Sequence, residues 1–174
     1  MHIVFNALFL LAAIKWGDWK RWKVYYPTIL FLISIDSIKN FLLYNHMMWT
    51  YQEVFFGKAL LQNHTVINLM IMVVVYPATI LIYLGRFPKE TWKQIRWISI
   101  WISVYWIVEY INLKYLDLIN HHNGWNMWWS LLFLSVMFPM LRLHHKNPLL
   151  AWVLSVLFTV FLWNAFNVPI EILK

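Results

Sequence analysis

Cysteine is absent from the 174 residues, which excludes a disulfide framework and any thiolate metal site. Glycine is scarce, at four residues, and neither a Gly-rich phosphate loop nor a nucleophile elbow occurs. Charge is the third shortage: Asp, Glu, Lys and Arg make up 12% of the chain, against roughly 25% in an ordinary soluble domain. With 62% hydrophobic residues beside it, that figure rules out a soluble globular fold. A net charge of +7 would raise nucleic acid as a partner in a soluble chain, but here the basic residues stand in short joints between apolar stretches. No Lys or Arg precedes Lys15, so the basic opening of a secretory signal is missing and the first apolar stretch is expected to be retained.

What the chain has instead is apolar length. A helix needs roughly 20 mainly apolar residues to cross a hydrocarbon core about 30 Å thick. Six stretches qualify or nearly so: Met1 to Ile14, Val24 to Tyr44, Gln62 to Leu84, Ile95 to Leu116, Asn126 to Leu141 and Pro148 to Val168. The expectation is an all-α, polytopic transmembrane helix bundle of about six spans, one domain over residues 1–174. Because the first stretch is short, five spans is the alternative. Lys and Arg in short loops stay cytoplasmic. Lys15, Lys20, Arg21 and Lys23 fill the first joint, Arg86, Lys89, Lys93 and Arg96 the third, and Arg142 and Lys146 the fifth. The second joint has Lys58 against Glu53, the fourth Asp117 after Lys114, and the tail Glu171 and Lys174. This alternation puts joints one, three and five inside and both termini outside. Thirteen tryptophans, among them Trp16, Trp19, Trp22, Trp125, Trp128 and Trp129, fit an interfacial belt.

Within that topology the strongly polar residues fall in the outer half of each span. They are His2 and Asn6; Asp36, Lys39 and Asn40; His64 and Asn68; Tyr105, Glu109 and Asn112; Asn126 and Ser130; and Asn164 and Asn167. Spacings of three or four stack each set on one helix face. The inner halves carry only hydroxyls such as Thr28, Ser34, Thr79, Ser99 and Ser155, which are expected to bond to their own helix. Charged and amide groups in hydrocarbon cost several kcal/mol unless paired or wet, so this one-sidedness predicts an outward-facing polar pocket. Its predicted residues are Asp36, Lys39, Asn40, His64, Asn68, Tyr105, Glu109, Asn112 and Asn164. Asp36 and Lys39 are placed to pair at i, i+3. Glu109 has no basic partner on its own face and is expected to be protonated, wet or bonded to Lys39.

Other chemistry is thinner. His64, His121, His122 and Glu109 have metal-ligand side chains but no ligand spacing, and no cofactor is expected. The deep histidine pair that a haem needs is missing. His64-x-x-x-Asn68 resembles one element of the intramembrane prenyl proteases, without their paired glutamates and following arginine. Pro77 and Pro139 lie within spans and predict kinks. The stretch from Arg86 to Trp97 predicts a basic helix start lying on anionic lipid.

Two C-terminal stretches carry a family likeness: His121-His122-Asn123-Gly124-Trp125-Asn126-Met127-Trp128-Trp129-Ser130, and Met137-Phe138-Pro139 through Arg142-Leu143-His144-His145-Lys146 to Pro148-Leu149-Leu150-Ala151. The chain resembles a family of small polytopic membrane proteins of endospore-forming bacilli and clostridia, whose activity is unassigned. The resemblance implies a bacterial inner membrane and transfers no catalytic residue. The expected function is the binding of a small polar solute, ion or lipid headgroup, as sensor, carrier or accessory subunit, with membrane lipids as partners and no nucleic acid. A metal-assisted intramembrane enzyme, or a structural subunit among other membrane chains, is the alternative.

Overall fold

Apolar runs without β-branched alternation satisfy their backbone groups within one segment, and the chain does so by folding almost wholly into helices. The computed structural model describes residues 1–53, 61 and 63–172; Lys58, Gln62 and Lys174 lie outside the described residues. Among the described residues six long helices follow in order: α1 (His2–Trp16), α2 (Trp22–Leu42), α3 (His64–Tyr83), α4 (Thr91–Lys114), α5 (Met127–Lys146) and α6 (Pro148–Ala165). Three of them, α3, α5 and α6, are long and apolar enough to cross a membrane. Helices α2 and α4 have the length but carry Asp36, Lys39 and Glu109, and α1 is apolar but has only 15 residues. Large apolar side chains stand bare on the outside, such as Leu11 at 60%, Val73 at 71% and Leu157 at 59% exposure. Lipid, not water, matches such a surface.

The joints gather at two ends. At one, Asp18 N donates to Leu81 O over 3.2 Å, Arg86 Nε to Trp16 O over 2.7 Å, and the Tyr25 and His145 rings lie 5.6 Å apart. This is the basic end. At the other, the Met1 ammonium meets Glu53 at 2.6 Å, Asn123 Nδ2 donates to Met47 O, and Trp125 stacks on Phe166. Two short strands tie this second end: β1 (Trp49–Tyr51) pairs antiparallel with β2 (Ile119–His121), Thr50 opposite Asn120. The ladder is the one departure from an all-helical chain among the described residues.

Helix α3 is the axle. Half of its apolar window is buried, and Ile80, Leu81 and Tyr83 are at most 2% exposed. Pro77 has no amide hydrogen to donate, and just before it the helix widens into a π turn, Ile71–Val75, with Tyr76 N reaching back five residues to Ile71 O. The extra residue changes which side chains share a face.

Several boundaries differ from the sequence expectation. Helix α5 runs on through Arg142 to Lys146, so His144 and His145 belong to a helix and the fifth joint shrinks to Asn147. Asn147 caps α6 through its side chain, which accepts from Leu150 N at 3.2 Å, and Pro148 takes the first helical position. Residues 84–86 form a turn, 87–90 are irregular, and α4 starts at Thr91. The inner-half hydroxyls do not all bond locally. Thr28 Oγ1 pairs with His144 Nδ1 across the bundle at 3.1 Å, and Thr79 bonds to Tyr105. His144, 4% exposed and stacked on Phe31, makes this half less oily than expected.

Gly85 lets the first and third joints touch. A Cβ there would lie 2.3 Å from Leu81 O and 2.6 Å from Asp18 Cβ. Gly85→Ala therefore forces the two joints apart and is expected to cost about 1–3 kcal/mol. A melting temperature in detergent equal to the parent's would contradict it.

Candidate functional site

A cavity of about 270 Å³ opens among all six helices near the end that carries Met1 and the strand ladder. Its walls run from Trp49, Tyr51 and Trp125 beside the strand ladder down to Phe31, Leu141 and Ser155. Most of the lining is apolar, with charged and amide groups inserted at a few points.

The first such point is Asp36, 9% exposed. Lys39 approaches it at 2.6 Å from one turn along the same helix. Asn68 Nδ2 donates to it at 3.0 Å and Asn40 Nδ2 at 3.3 Å, and the Tyr76 hydroxyl lies beside it. The π turn makes this convergence possible. At about 100° per residue, Asn68 and Tyr76 would stand about 80° apart on a regular helix; one extra residue in the turn brings them to within about 20°. The Lys39 ammonium also sits 3.9 Å from the Trp49 ring centroid.

The second point is Glu109. Its Oε1 accepts from Ser130 Oγ and pairs with His121 Nε2 at 2.9 Å, while Trp125 Nε1 donates to Ser130 Oγ at 2.8 Å. Glu109 is thus bonded to a histidine and a serine, and Lys39 belongs to Asp36. Tyr51, Tyr76 and Tyr105 also line the cavity. Burial, followed by the nearby carboxylates of Asp36 and Glu109, raises the Tyr51 pKa well above the ordinary phenol value, so it stays a protonated donor.

The third feature is a pair of amides. Asn6 Nδ2 donates to His2 O at 2.9 Å and Asn112 Nδ2 to Val108 O at 2.7 Å, each on its own helix. Both residues are 5% exposed, both line the cavity, and both Oδ1 atoms lack a partner among the described residues.

Of the nine predicted pocket residues, Asp36, Lys39, Tyr105, Glu109 and Asn112 line the cavity. Asn40 and Asn68 hold Asp36 in place. His64 stands apart from the cavity wall: its ring stacks on Tyr51 and its Nδ1 accepts from Tyr51 N at 3.0 Å. Asn164 is exposed and donates to Val160 O on its own helix, because α6 turns that face away from the bundle. The metal-ligand candidates are dispersed. His121 meets Glu109, His122 meets Thr50, and His64 meets Tyr51; no group of three metal-ligating side chains gathers among the described residues. Tyr51 and Tyr76 join the site without a place in the polar set read from the sequence, and Asn6 and Ser130 join it from that set without being among the nine; for Tyr76 the only signal was its place before Pro77. The chain matches no protein-family model, no curated protein and no solved structure.

Proposed function

We propose that the chain crosses a membrane six times, with the basic joints in the cytoplasm and both termini outside. We further propose that it binds a small polar solute, ion or lipid headgroup in the outward-facing cavity, as a sensor, carrier or accessory subunit. Two charge centres and two amide oxygens without a partner among the described residues, in one apolar-walled cavity, carry this reading, since such groups persist in a membrane mainly where they serve a pathway or a ligand. The clustering of the basic joints at the end opposite the termini supports the orientation. Helix α1 is about 22 Å long at 1.5 Å per residue, so it crosses where the bilayer is thinned; a five-span arrangement is the alternative. The likeness to the membrane proteins of spore-forming bacteria supports a bacterial inner membrane.

The absence of native cysteine makes the test clean. Single cysteines are placed at Val108 in the cavity wall, at Leu157 on the bare face of α6 and at Lys89 in the third joint. A charged, membrane-impermeant thiol reagent added to intact cells is expected to label Val108→Cys, to leave Leu157→Cys untouched, and to reach Lys89→Cys only after permeabilisation. An inert Val108→Cys would remove the wet, outward-facing cavity. Labelling of Lys89→Cys from outside would invert the topology.

A further inference from the structure

Resting on that reading, we infer that the cavity takes an amphiphile with a positively charged, hydrogen-donating head and an apolar body: a lipophilic primary or secondary ammonium. The buried polar atoms of the cavity wall that lack a partner among the described residues, Oδ1 of Asn6 and of Asn112, are acceptors. Nδ2 of Asn6 and of Asn112 is fixed by a backbone carbonyl of its own helix, so the orientation of each amide is settled and Oδ1 is the atom left over. An entering carbonyl or carboxylate satisfies neither oxygen, whereas an N–H satisfies either.

Charge points the same way. Asp36 and Lys39 cancel, and among the described residues the partner of Glu109 in an ion pair is His121, which carries charge when protonated. An anion therefore meets two carboxylates, Asp36 and Glu109, against one ammonium, Lys39. Trp49, Tyr51 and Tyr105 also line the cavity, and aromatic rings favour a cation over an anion through their quadrupoles. Lys39 demonstrates the chemistry in place: its ammonium already lies between a carboxylate and the Trp49 ring. A bare metal ion would use the acceptors and leave the apolar depth of the cavity unused. The volume corresponds to about nine waters at roughly 30 Å³ each, which suits one short alkyl or aryl body and excludes a two-chain lipid.

The test uses the full chain in lipid nanodiscs and radiolabelled octylamine in equilibrium dialysis, with empty nanodiscs subtracted. Octylamine is expected to bind saturably at one equivalent, with octanol and octanoate failing to compete. Glu109→Gln and Asn112→Leu should each weaken binding about tenfold, the value of one hydrogen bond involving a charged group, and Asn164→Ala, on the outer face of α6, should bind as the parent does. Equal competition by octanol means that the apolar wall alone sets recognition; stronger competition by octanoate means that the charge preference is reversed. Either outcome overturns the ammonium assignment and leaves the binding function standing. No saturable binding of any of the three probes, as for a cavity holding water only, overturns both. Because the competition series is run on the parent protein, a variant that fails to fold does not spoil the result.

Discussion

Asp36→Ala is expected to destabilise the fold by about 3–5 kcal/mol, the cost of leaving a buried charge without its partner. Three side chains donate to this carboxylate, Lys39, Asn68 and Asn40, with the Tyr76 hydroxyl alongside. Truncation strands all of them. The Lys39 side chain is 21% exposed, which lets its ammonium recover some hydration and draws the figure toward the lower bound. Its other contact, the Trp49 ring, is too weak to replace a carboxylate. The double variant Asp36→Leu, Lys39→Leu removes both charges and should recover most of the loss, because a buried pair contributes less than the penalty for halving it. Denaturant unfolding in mixed micelles, followed by helix content, measures both. A single alanine variant within about 1 kcal/mol of the parent would falsify the view that Asp36 organises the site.

Phe138→Ala is the second large effect, at about 3 kcal/mol. Phe138 is fully buried, with the rings of Tyr105, Tyr83 and Trp101 at 5.2, 5.3 and 5.9 Å. In water such a truncation costs about 3–5 kcal/mol, partly from transfer of the lost surface and partly from the void. Between helices in lipid the transfer contribution is small, since the tails are as apolar as the core; the void and the lost ring contacts remain. That choice fixes the lower end. Phe138→Leu fills most of the space and should cost under about 1.5 kcal/mol. If alanine and leucine behave alike in unfolding experiments, packing at this position does not hold the basic half together.

The helices were legible in the sequence because apolar length is a local property. Their ends were less so. Backbone hydrogen bonding does not stop where hydrocarbon does, so α5 continues through Arg142 and Lys146 until Asn147 caps the next helix. Within the site, the Asp36–Lys39 pair could be read directly, as i, i+3 geometry is fixed by the helix itself. The partners of Glu109 could not: His121 reaches it from a strand whose position depends on pairing with Trp49–Tyr51, far away in the chain. Tyr76 was hidden for a different reason. Counting residues on an ideal helix assigns it the wrong face, and only the π turn before Pro77 brings it round to Asp36. Asn164 stands on the exposed face of α6, since depth along a helix says nothing about which way the helix is rotated.

The ladder between Trp49–Tyr51 and Ile119–His121 also sets an order of assembly. The groups around Asp36 all come from α2 and α3, so that cluster is complete once the first half of the chain has been made. The strand Trp49–Tyr51 must wait for about 70 further residues, roughly 4–14 s at ribosomal speed. During that interval it is an unpaired edge beside the nascent helices, open to a strand of another molecule. Glu109 and His121 then arrive almost together, before the α5 and α6 walls of the cavity are made.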